Sequence, residues 1–294
     1  MQRTKINKKV DAILCADFHL RESTPICYIG DFEKEQWDCL AFIKDLQKKY
    51  DCPVLHAGDL FDHWKPSPYL LTLIIKKLPK NFYTVYGNTH DVPQNCLNLV
   101  NKCGINTLEA AKSLTILPGA HWGQQPCISY IIKNKKILVW HVMTYQGRKP
   151  FPGITDSPAR NLLRKYKEFD LIVTGHNHQA FIETYNNRLL VNPGSLTRQE
   201  AGQIDFKPRV YLWHADTNTV TPVYLPIQEG VISQEHIQVK EKRENRIDAF
   251  ISRLDEDWES TMDFEQNLES FKQVNEIKPE IMDIVYFATE IIKN

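Results

Sequence analysis

Residue types that bind metal ions recur in the first two thirds of the sequence, each group directly after a short aliphatic run. The five groups are Asp17-Phe-His19, Gly58-Asp-Leu-Phe-Asp62, Gly87-Asn-Thr-His-Asp91, His141 and Gly175-His-Asn-His178. Carboxylate, imidazole and amide groups without cysteine favour Mn²⁺, Fe²⁺ or Zn²⁺, because Mg²⁺ and Ca²⁺ prefer oxygen ligands alone. These candidates outnumber the ligands of one ion, so we predict two divalent cations, with Mn²⁺ as first choice and Fe²⁺ or Zn²⁺ as alternatives.

Two such cations perform one characteristic reaction. About 3.5–4 Å apart, they share a carboxylate and a bridging water, and they promote in-line attack of that water on a phosphate ester. Asp59 is our candidate for the shared carboxylate. A lone Asp-x-His pair is more often a turn or a cap, so the prediction depends on the ordered series of groups. We interpret the other histidines as ordinary core or polar residues: His56, His63, His121, His214 and His236.

The elements that must position these groups are short strands alternating with amphipathic helices. Runs rich in Val, Ile and Tyr predict strands at 10–16, 53–57, 82–86, 128–132, 137–140 and 171–174. Apolar residues at helical spacing and helix-start signals predict helices at 32–50, 68–77 and 158–166. Ligands of an α/β sheet lie outside the carboxyl ends of its strands, so all five groups can converge on one site.

Beyond Gly175 the predicted strands follow one another without helices, at 180–185, 188–192, 209–214 and 219–225. This order predicts an α/β fold of mixed α+β character, a four-layer α-β-β-α sandwich of two packed sheets with a short C-terminal helical appendage. We therefore expect a catalytic domain over residues 1–230 and the helical appendage over 231–294. The apolar stripe of Phe264, Leu268 and Phe271 makes the appendage a candidate for partner binding, for dimerisation or for a lid.

The charge balance limits how the protein can hold a polyanion. Lysine plus arginine and aspartate plus glutamate number 36 each, so the formal net charge is zero. Because a domain that holds nucleic acid by bulk charge is basic, any nucleic acid must be bound by local patches, by the metals or through a partner. The candidate cations lie in predicted loops: Arg21, Lys65, Arg148, Lys149 and Arg198.

The cysteines and the apolar runs indicate the compartment. Seven cysteines, without a CxxC pair, are typical of reduced thiols rather than of a disulfide framework. No stretch has the features of a signal peptide, and none approaches the roughly 18 apolar residues of a membrane span. We expect a cytoplasmic protein that makes no use of a membrane.

The ordered motifs resemble those of the calcineurin-like metallophosphoesterases, whose pattern runs D-x-H, G-D-x-x-D, G-N-H-D/E, a lone His and G-H-x-H. The resemblance covers roughly residues 10–225. It implies that one metal is bound by Asp17, His19, Asp59 and His178, and the other by Asp59, Asn88, His141 and His176. It also implies catalytic roles for two more residues: His90, which faces the scissile phosphate, and Asp62, which orients a ligand. Thr89 separates Asn88 from His90, whereas the family has the two adjacent.

Two further segments are similar to the SbcD-type DNA repair nucleases of this family. They are Gly58–Asp62 with the following Lys65-Pro-Ser67, and Asn192-Pro-Gly-Ser195; residues 189–210 are also similar to phage-encoded members. This resemblance implies a nuclease that cleaves DNA and has an SbcC-type ATPase as partner; a homodimer is the prediction if residues 231–294 are instead a dimerisation element. Two alternatives stay open: a phosphodiesterase for a small or cyclic nucleotide, and a non-catalytic subunit that bridges the ATPase to DNA.

Overall fold

Eleven strands form two mixed sheets in the computed structural model, which describes residues 9–119, 121–149, 153–235, 268, 271–273, 275 and 277–292. In chain order the strands are β1 (Ala12–Cys15), β2 (Val54–His56), β3 (Phe82–Thr84), β4 (Thr115–Ile116), β5 (Tyr130–Ile132), β6 (Lys135–His141), β7 (Leu171–Gly175), β8 (Phe181–Tyr185), β9 (Arg188–Asn192), β10 (Arg209–His214) and β11 (Thr219–Tyr224). The helices are α1 (Phe32–Tyr50), α2 (Pro68–Lys77), α3 (Gly104–Ala110), α4 (Ala159–Lys165) and α5 (Pro279–Ile292). Three short 3-10 helices add Pro93–Asn95, Leu97–Lys102 and Ala201–Gln203.

The strand order places the predicted ligand groups at the centre of both sheets. The first sheet has the order β11-β10-β1-β2-β3-β4, and the second has the order β5-β6-β7-β9-β8. Strands β1 to β4 run parallel, as do β6, β7 and β9, while β10, β11, β5 and β8 are antiparallel to their neighbours. Because parallel strands end at the same edge, the loops after β1, β2 and β3 are neighbours, and so are those after β6 and β7.

Alternation along β1 shows how the layers pack. Ala12 and Leu14 are buried in the core that also contains Val139 and Val173 of the second sheet. Ile13 and Cys15 point to the opposite face and join the core under α1, α2 and α3. Since successive side chains of a strand point to opposite faces, one strand contributes to both cores. With α4 packed outside the second sheet, the predicted four-layer sandwich of two mixed sheets is confirmed.

Helices α1 and α2 begin and end where their sequence signals predict. The Asp31 carboxylate accepts a hydrogen bond from the Lys34 N–H at the start of α1, and Asp51 ends that helix in a left-handed conformation. Ser67 caps α2 through the Leu70 N–H, with Pro68 in the first helical turn. Helix α4 begins at Ala159, one residue after the predicted start. Helix α3 and strand β4 were missed because each is too short to show a periodic pattern.

The chain separates into compact units over residues 1–233 and 234–294. In the second unit, helix α5 is described together with parts of the preceding segment, and Leu268, Phe271 and Met282 are buried. Phe264, the third residue of the predicted apolar stripe, lies outside the described residues. None of the helices in the described part of the chain has the length and apolar character that crossing a membrane requires.

Candidate metal centre

Five loops bring the predicted metal ligands together at the carboxyl ends of β1, β2, β3, β6 and β7. In each of three groups, one ligand atom from every member lies within 4.8 Å of the others. The first group combines Asp17, His19 and His178, and the second combines Asp59, His141 and His176. The third group shares His19 and adds the two predicted catalytic residues, Asp62 and His90.

Asp59 connects the first two groups. Its Oδ2 atom lies 3.2 Å from His141 Nε2 and 3.9 Å from His19 Nε2. Its Oδ1 atom accepts a hydrogen bond from the Asn88 backbone N–H at 3.0 Å. One carboxylate thus faces an imidazole of each group, as a ligand shared by two cations must.

Asn88 lies on the same side as the second group. Its side-chain amide Nδ2 is 3.1 Å from His176 Nδ1, while its Oδ1 atom accepts the His90 N–H at 3.1 Å. The amide therefore sits between a predicted ligand and a predicted catalytic histidine. This position is compatible with the ligand role that the resemblance implies for it.

Backbone conformation at these loops is unusual. Asp17, His19, Asp59 and His176 have φ values of 50°, 49°, 55° and 78°. A side chain in this left-handed region costs roughly 1–2 kcal/mol per residue. Such strain persists only where the surrounding structure imposes it, and it concentrates at functional sites.

Two glycines allow the loops to approach each other. A Cβ atom on Gly87 would lie 1.8 Å from Asp59 Oδ1. Gly58 has a φ of +88°, and a Cβ there would meet His141 Nδ1 at 2.7 Å. Only glycine fits at both positions, because any side chain would displace a predicted ligand.

The hydrogen bonds of His141 test whether these residues fit a cation. Its Nδ1–H donates to the Ala57 carbonyl at 2.8 Å, so Nε2 carries a lone pair. This Nε2 atom is fully buried without a hydrogen-bond partner among the described residues, and it faces the Asp59 carboxylate. His19 Nε2 and His178 Nε2 also face each other at 3.1 Å. A cation between the Asp59 carboxylate and the His141 lone pair would satisfy both groups, and a set of carboxylates and imidazoles without thiolate fits divalent metal ions.

Burial and the contact between Asp59 and His141 shift the pKa values of the buried ligands. Burial raises the pKa of the Asp17 carboxyl to about 6. Burial also disfavours the charged form of Asp59, but the His141 imidazole outweighs it and lowers the Asp59 pKa below its ordinary range. Burial lowers the pKa of His141, yet the Asp59 carboxylate outweighs it and raises that pKa to about 9. The pair thus attracts a positive charge, which either a proton or a metal ion can supply.

Asp91 stabilises two of the ligand loops through hydrogen bonds, and no role was predicted for it from the sequence. Its buried carboxylate accepts backbone N–H groups of four residues: Asp59 at 2.8 Å, Gly87 at 2.9 Å, Leu60 at 3.1 Å and Phe61 at 3.3 Å. Burial, followed by the Asp59 carboxylate, raises the Asp91 pKa to about 7. The sequence signal was its place at the end of the third motif, where it ties the loops after β2 and β3 together.

The segment after β9 supports two other loops. The Asn192 amide donates to the carbonyls of Asn177 at 2.7 Å and Gln179 at 3.0 Å. The Ser195 N–H donates to the His178 carbonyl, and the Leu196 N–H donates to the Asp17 carbonyl. The Asn-Pro-Gly-Ser motif, known from the sequence only as a resemblance, therefore holds the loops after β1 and β7 in place.

His90 and Asp62 lie together at the edge of the centre. His90 Nδ1 is 2.6 Å from the Asp62 carbonyl, and its ring meets the His19 ring edge-on with centroids 4.6 Å apart. Asp62 Oδ1 pairs with the Arg21 guanidinium at 3.2 Å. Thr89 is exposed, so the extra residue extends into solvent and His90 still reaches the site.

The other predicted substrate-binding cations have different surroundings. Arg198 is buried, 3.2 Å from the equally buried Glu35 carboxylate, and it also donates to the Gln228 carbonyl. A substrate cannot reach it, and its contacts show a structural role. Lys65, Arg148 and Lys149 are exposed on the loops that follow β2 and β6. The Lys149 ammonium donates to the Ile154 carbonyl at 3.3 Å.

Trp122 is a neighbour of the centre that sequence reasoning missed. Its ring centroid lies 4.5 Å from that of His176 and 5.9 Å from that of His141. The preceding His121 accepts the Tyr86 N–H through Nδ1 at 3.0 Å, which anchors this loop. No motif marked Trp122, because it follows no predicted strand.

Comparisons with known proteins agree with this arrangement at the level of the family. A model of the calcineurin-like phosphoesterase superfamily domain matches residues 11–214. A search of curated proteins finds no match. An archaeal phosphodiesterase of known structure is 14% identical, with a TM-score of 0.42 over 73% of this chain and 99% of that one. Vps29 from Entamoeba histolytica in complex with zinc is 15% identical, with a TM-score of 0.34 over 73% and 97% of the two chains.

Proposed function

The chain belongs to the calcineurin-like phosphoesterase superfamily, whose members are metal-dependent phosphoester hydrolases, and we propose that it cleaves phosphodiester bonds in DNA as an SbcD-type nuclease. The proposed hydrolase activity is supported by the position of Asp59 Oδ2, which faces imidazoles of two ligand groups at 3.2 and 3.9 Å. The DNA part is supported by the sequence motifs and by exposed cations on the loops around the centre.

The ligand assignment is part of the proposal. One cation would be held by Asp17, His19, Asp59 and His178, and the other by Asp59, Asn88, His141 and His176. Mn²⁺ is the proposed ion because the set combines imidazole with carboxylate and amide oxygen. Cations held by these residues would supply Lewis acidity, which lowers the pKa of a bound water and stabilises charge on the phosphate oxygens.

The residues of the chain then supply orientation and a proton. His90 donates Nδ1–H to the Asp62 carbonyl, so its Nε2 atom is the one that can pass a proton to the leaving oxygen or stabilise its charge. The carboxylate of the same Asp62 pairs with the Arg21 guanidinium at 3.2 Å. Arg21 is therefore the proposed contact to a phosphate oxygen next to the scissile bond.

Binding of a DNA strand is assigned to the exposed Lys65, Arg148 and Lys149. Since the formal net charge of the chain is zero, a few local cations rather than a basic surface would position the strand. An SbcC-type ATPase or a second copy of the chain would bind through residues 231–294, and the protein would act in the cytoplasm.

The deciding experiment measures hydrolysis of bis-p-nitrophenyl phosphate and of labelled single- and double-stranded DNA with Mn²⁺. Wild-type protein should cleave both substrates, and Asp59→Asn should lose at least a thousandfold in rate on each because the shared ligand is weakened. Asp216→Asn is the matched control, because Asp216 is an exposed carboxylate paired with Lys133. Cleavage of the small ester alone would contradict the nuclease assignment, and tight Mn²⁺ binding without turnover would indicate a non-catalytic subunit.

A small-nucleotide phosphodiesterase is the second candidate. It is favoured by a cavity of about 410 Å³ that His178 lines, since a cavity of this size suits one nucleotide rather than a duplex. Higher kcat/KM on a cyclic nucleotide than on any oligonucleotide would support this function over the nuclease.

A further inference from the structure

A cavity of about 410 Å³ lies beside the candidate metal centre, lined among others by His178, Gln179, Glu200, Phe206 and Arg209. Small-molecule sites occupy roughly 300–1,000 Å³, so this volume accommodates a single nucleoside. Phe206 and Arg209 lie in the segment 189–210 that is similar to phage-encoded family members, but no predicted ligand group contains them. We call this space the Phe206 cavity.

His178 connects the Phe206 cavity to the centre. Its Nε2 atom lies 3.1 Å from His19 Nε2 within the first ligand group, while its Nδ1 atom lies 3.2 Å from Glu200 Oε1. One imidazole thus forms the wall between the cavity and the proposed metal site. A group bound in the cavity would adjoin a phosphate bound at the centre.

Phe206 is the aromatic side chain among the residues that line the cavity. The residue is half-buried, its N–H donates to the Gln203 carbonyl at 3.0 Å, and its ring edge packs against Gly194. A Cβ atom on Gly194 would lie 3.0 Å from the ring. The backbone therefore fixes the ring position. Aromatic side chains beside a phosphate site bind nucleic-acid bases by stacking.

Arg209 adds a positive charge that is held by aromatic rings. Its guanidinium lies 5.9 Å from the Phe206 ring centroid and 4.8 Å from that of Tyr224, and its Nε atom donates to the Lys207 carbonyl. Within the described ranges, no carboxylate lies at ion-pair distance from this guanidinium. The guanidinium also lies within hydrogen-bonding reach of the Tyr211 side chain, and a stacked arginine still presents further N–H donors to a phosphate or a base acceptor.

We propose that the Phe206 cavity binds the nucleoside unit joined to the scissile phosphate, with its base stacked on Phe206 and the Arg209 guanidinium on a base or phosphate oxygen. This inference rests on the proposed phosphodiesterase function and names part of its substrate. The shared ligand chemistry is a nucleotide, which can be free or part of a strand. Glu200, whose carboxylate is largely exposed, can accept a hydrogen bond from a sugar hydroxyl or a base amino group.

A binding measurement tests nucleotide recognition by the Phe206 cavity without requiring catalysis. Thymidine 5′-monophosphate and inorganic phosphate are titrated into wild-type, Phe206→Leu and Arg209→Gln proteins, with and without Mn²⁺, by calorimetry. The ratio of the nucleotide Kd to the phosphate Kd should rise about tenfold in Phe206→Leu, since the stacking contact is lost, and Arg209→Gln should raise the nucleotide Kd about tenfold, since a charged contact is lost. Arg164→Gln is the matched control, because Arg164 is exposed and stacks on Tyr185 at 5.2 Å. An unchanged ratio in Phe206→Leu would overturn the inference.

Kinetics separates this inference from the function on which it rests. The KM values are compared for the p-nitrophenyl ester of thymidine 5′-monophosphate and for methyl p-nitrophenyl phosphate, which has the same leaving group and no base. Phe206→Leu should raise the ratio of these KM values about tenfold, whereas Arg164→Gln should not change it. Equal increases for both esters would overturn the cavity assignment. Nucleotide binding that depends on Phe206, without turnover of either ester, would support the cavity and refute the hydrolase function.

The two nucleotide sources are distinguished by a third comparison. If a free nucleotide is the natural ligand, Phe206→Leu should affect kcat/KM for the mononucleotide ester more than for a single-stranded oligonucleotide. If the unit belongs to a strand, the oligonucleotide should lose at least as much, because its other contacts do not replace the stack.

Discussion

The metal-site loops and the hairpin turns both contain left-handed residues, but they differ in what surrounds those residues. In the turn between β8 and β9, Asn186 and Asn187 have φ values of 49° and 59° and are exposed. Asp17 and Asp59 have φ values of 50° and 55°, yet their side chains are buried. Asparagine tolerates this conformation through local hydrogen bonds, whereas a buried aspartate adds a desolvation cost. Strain combined with a buried charge therefore distinguishes the functional loops from ordinary turns.

The largest expected effect comes from adding one methyl group where two functional loops touch. Gly87→Ala would place a Cβ 1.8 Å from Asp59 Oδ1, so the backbone must shift and the shared ligand must move. We expect activity to fall at least a hundredfold and the free energy of unfolding to fall by about 1–3 kcal/mol. Steady-state kinetics and urea unfolding measure the two effects.

Gly123→Ala is the control for this prediction. Gly123 also lies in a loop and has a φ of +73°, but a Cβ there would meet nothing within 4 Å. Only the conformational cost of about 1 kcal/mol should remain, with no effect on activity. Similar losses in both variants would mean that loop strain alone, and not the contact with Asp59, sets the effect.

A second pair of variants compares two asparagines, Asn192 and Asn218, whose side-chain amides each donate to two backbone carbonyls. Asn192→Ala removes the donor to the Asn177 and Gln179 carbonyls and should lower Mn²⁺ affinity or kcat about 10–100-fold, because the loop that carries His176 and His178 is released. Asn218 makes the equivalent pair of bonds to the Asp170 and Asn187 carbonyls, both at 2.9 Å.

Asn192→Ala and Asn218→Ala should therefore each lower the free energy of unfolding by about 1–3 kcal/mol. Asn218→Ala should leave the kinetics unchanged. Stability is measured by urea unfolding and affinity by calorimetry with Mn²⁺. If Asn218→Ala reduced activity as much as Asn192→Ala, the hydrogen bonds of Asn192 would not specifically position the metal ligands.

A third prediction concerns pH and the loop that carries Trp122. Burial lowers the pKa of His121 to about 4, below the ordinary value of about 6.5 for an unfolded chain. A histidine whose pKa is lowered by folding stabilises the protein above pH 6.5, and this contribution is lost as the pH falls from 6.5 towards 4. The expected loss of unfolding free energy over that window is about 2–3 kcal/mol.

His121→Asn should remove this part of the acid sensitivity. The asparagine oxygen can accept the Tyr86 N–H in place of Nδ1, but it does not titrate. The measurement is the urea midpoint at pH 7 and at pH 4.5 for both proteins. An unchanged difference between the two pH values would assign the acid sensitivity to other groups.

The smallest effect is expected in the hairpin turn itself. Asn186→Gly relieves any strain at a φ of 49° but increases the freedom of the unfolded chain, so the free energy of unfolding should change by less than about 0.5 kcal/mol. Activity should not change. A loss of activity would show that the turn between β8 and β9 influences the centre, which would weaken the contrast between the two kinds of left-handed residue.

Residue order along the chain was sufficient for the fold class and for the side chains that meet at the strand ends. The spacing of Asp17 and His19 after one aliphatic run, and of His176 and His178 after another, predicted strand-end loops, and the structure brings these residues together. Helices α1 and α2 have the predicted bounds because caps and apolar spacing are local signals. The division of the ligands between two cations and the role of His90 stay predictions.

Only the tertiary structure decided which residues hold the ligand loops in place and which predicted substrate-binding residue is buried away from the substrate. Asp91 and Asn192 act on backbone groups of other loops, and Arg198 pairs with Glu35, 163 positions away. The Phe206 cavity likewise forms between loops whose side chains have no common motif. Local sequence determines strands, caps and the chemical type of a side chain. Burial, orphaned lone pairs and contacts between distant loops depend on how the two sheets pack, and no local pattern encodes them.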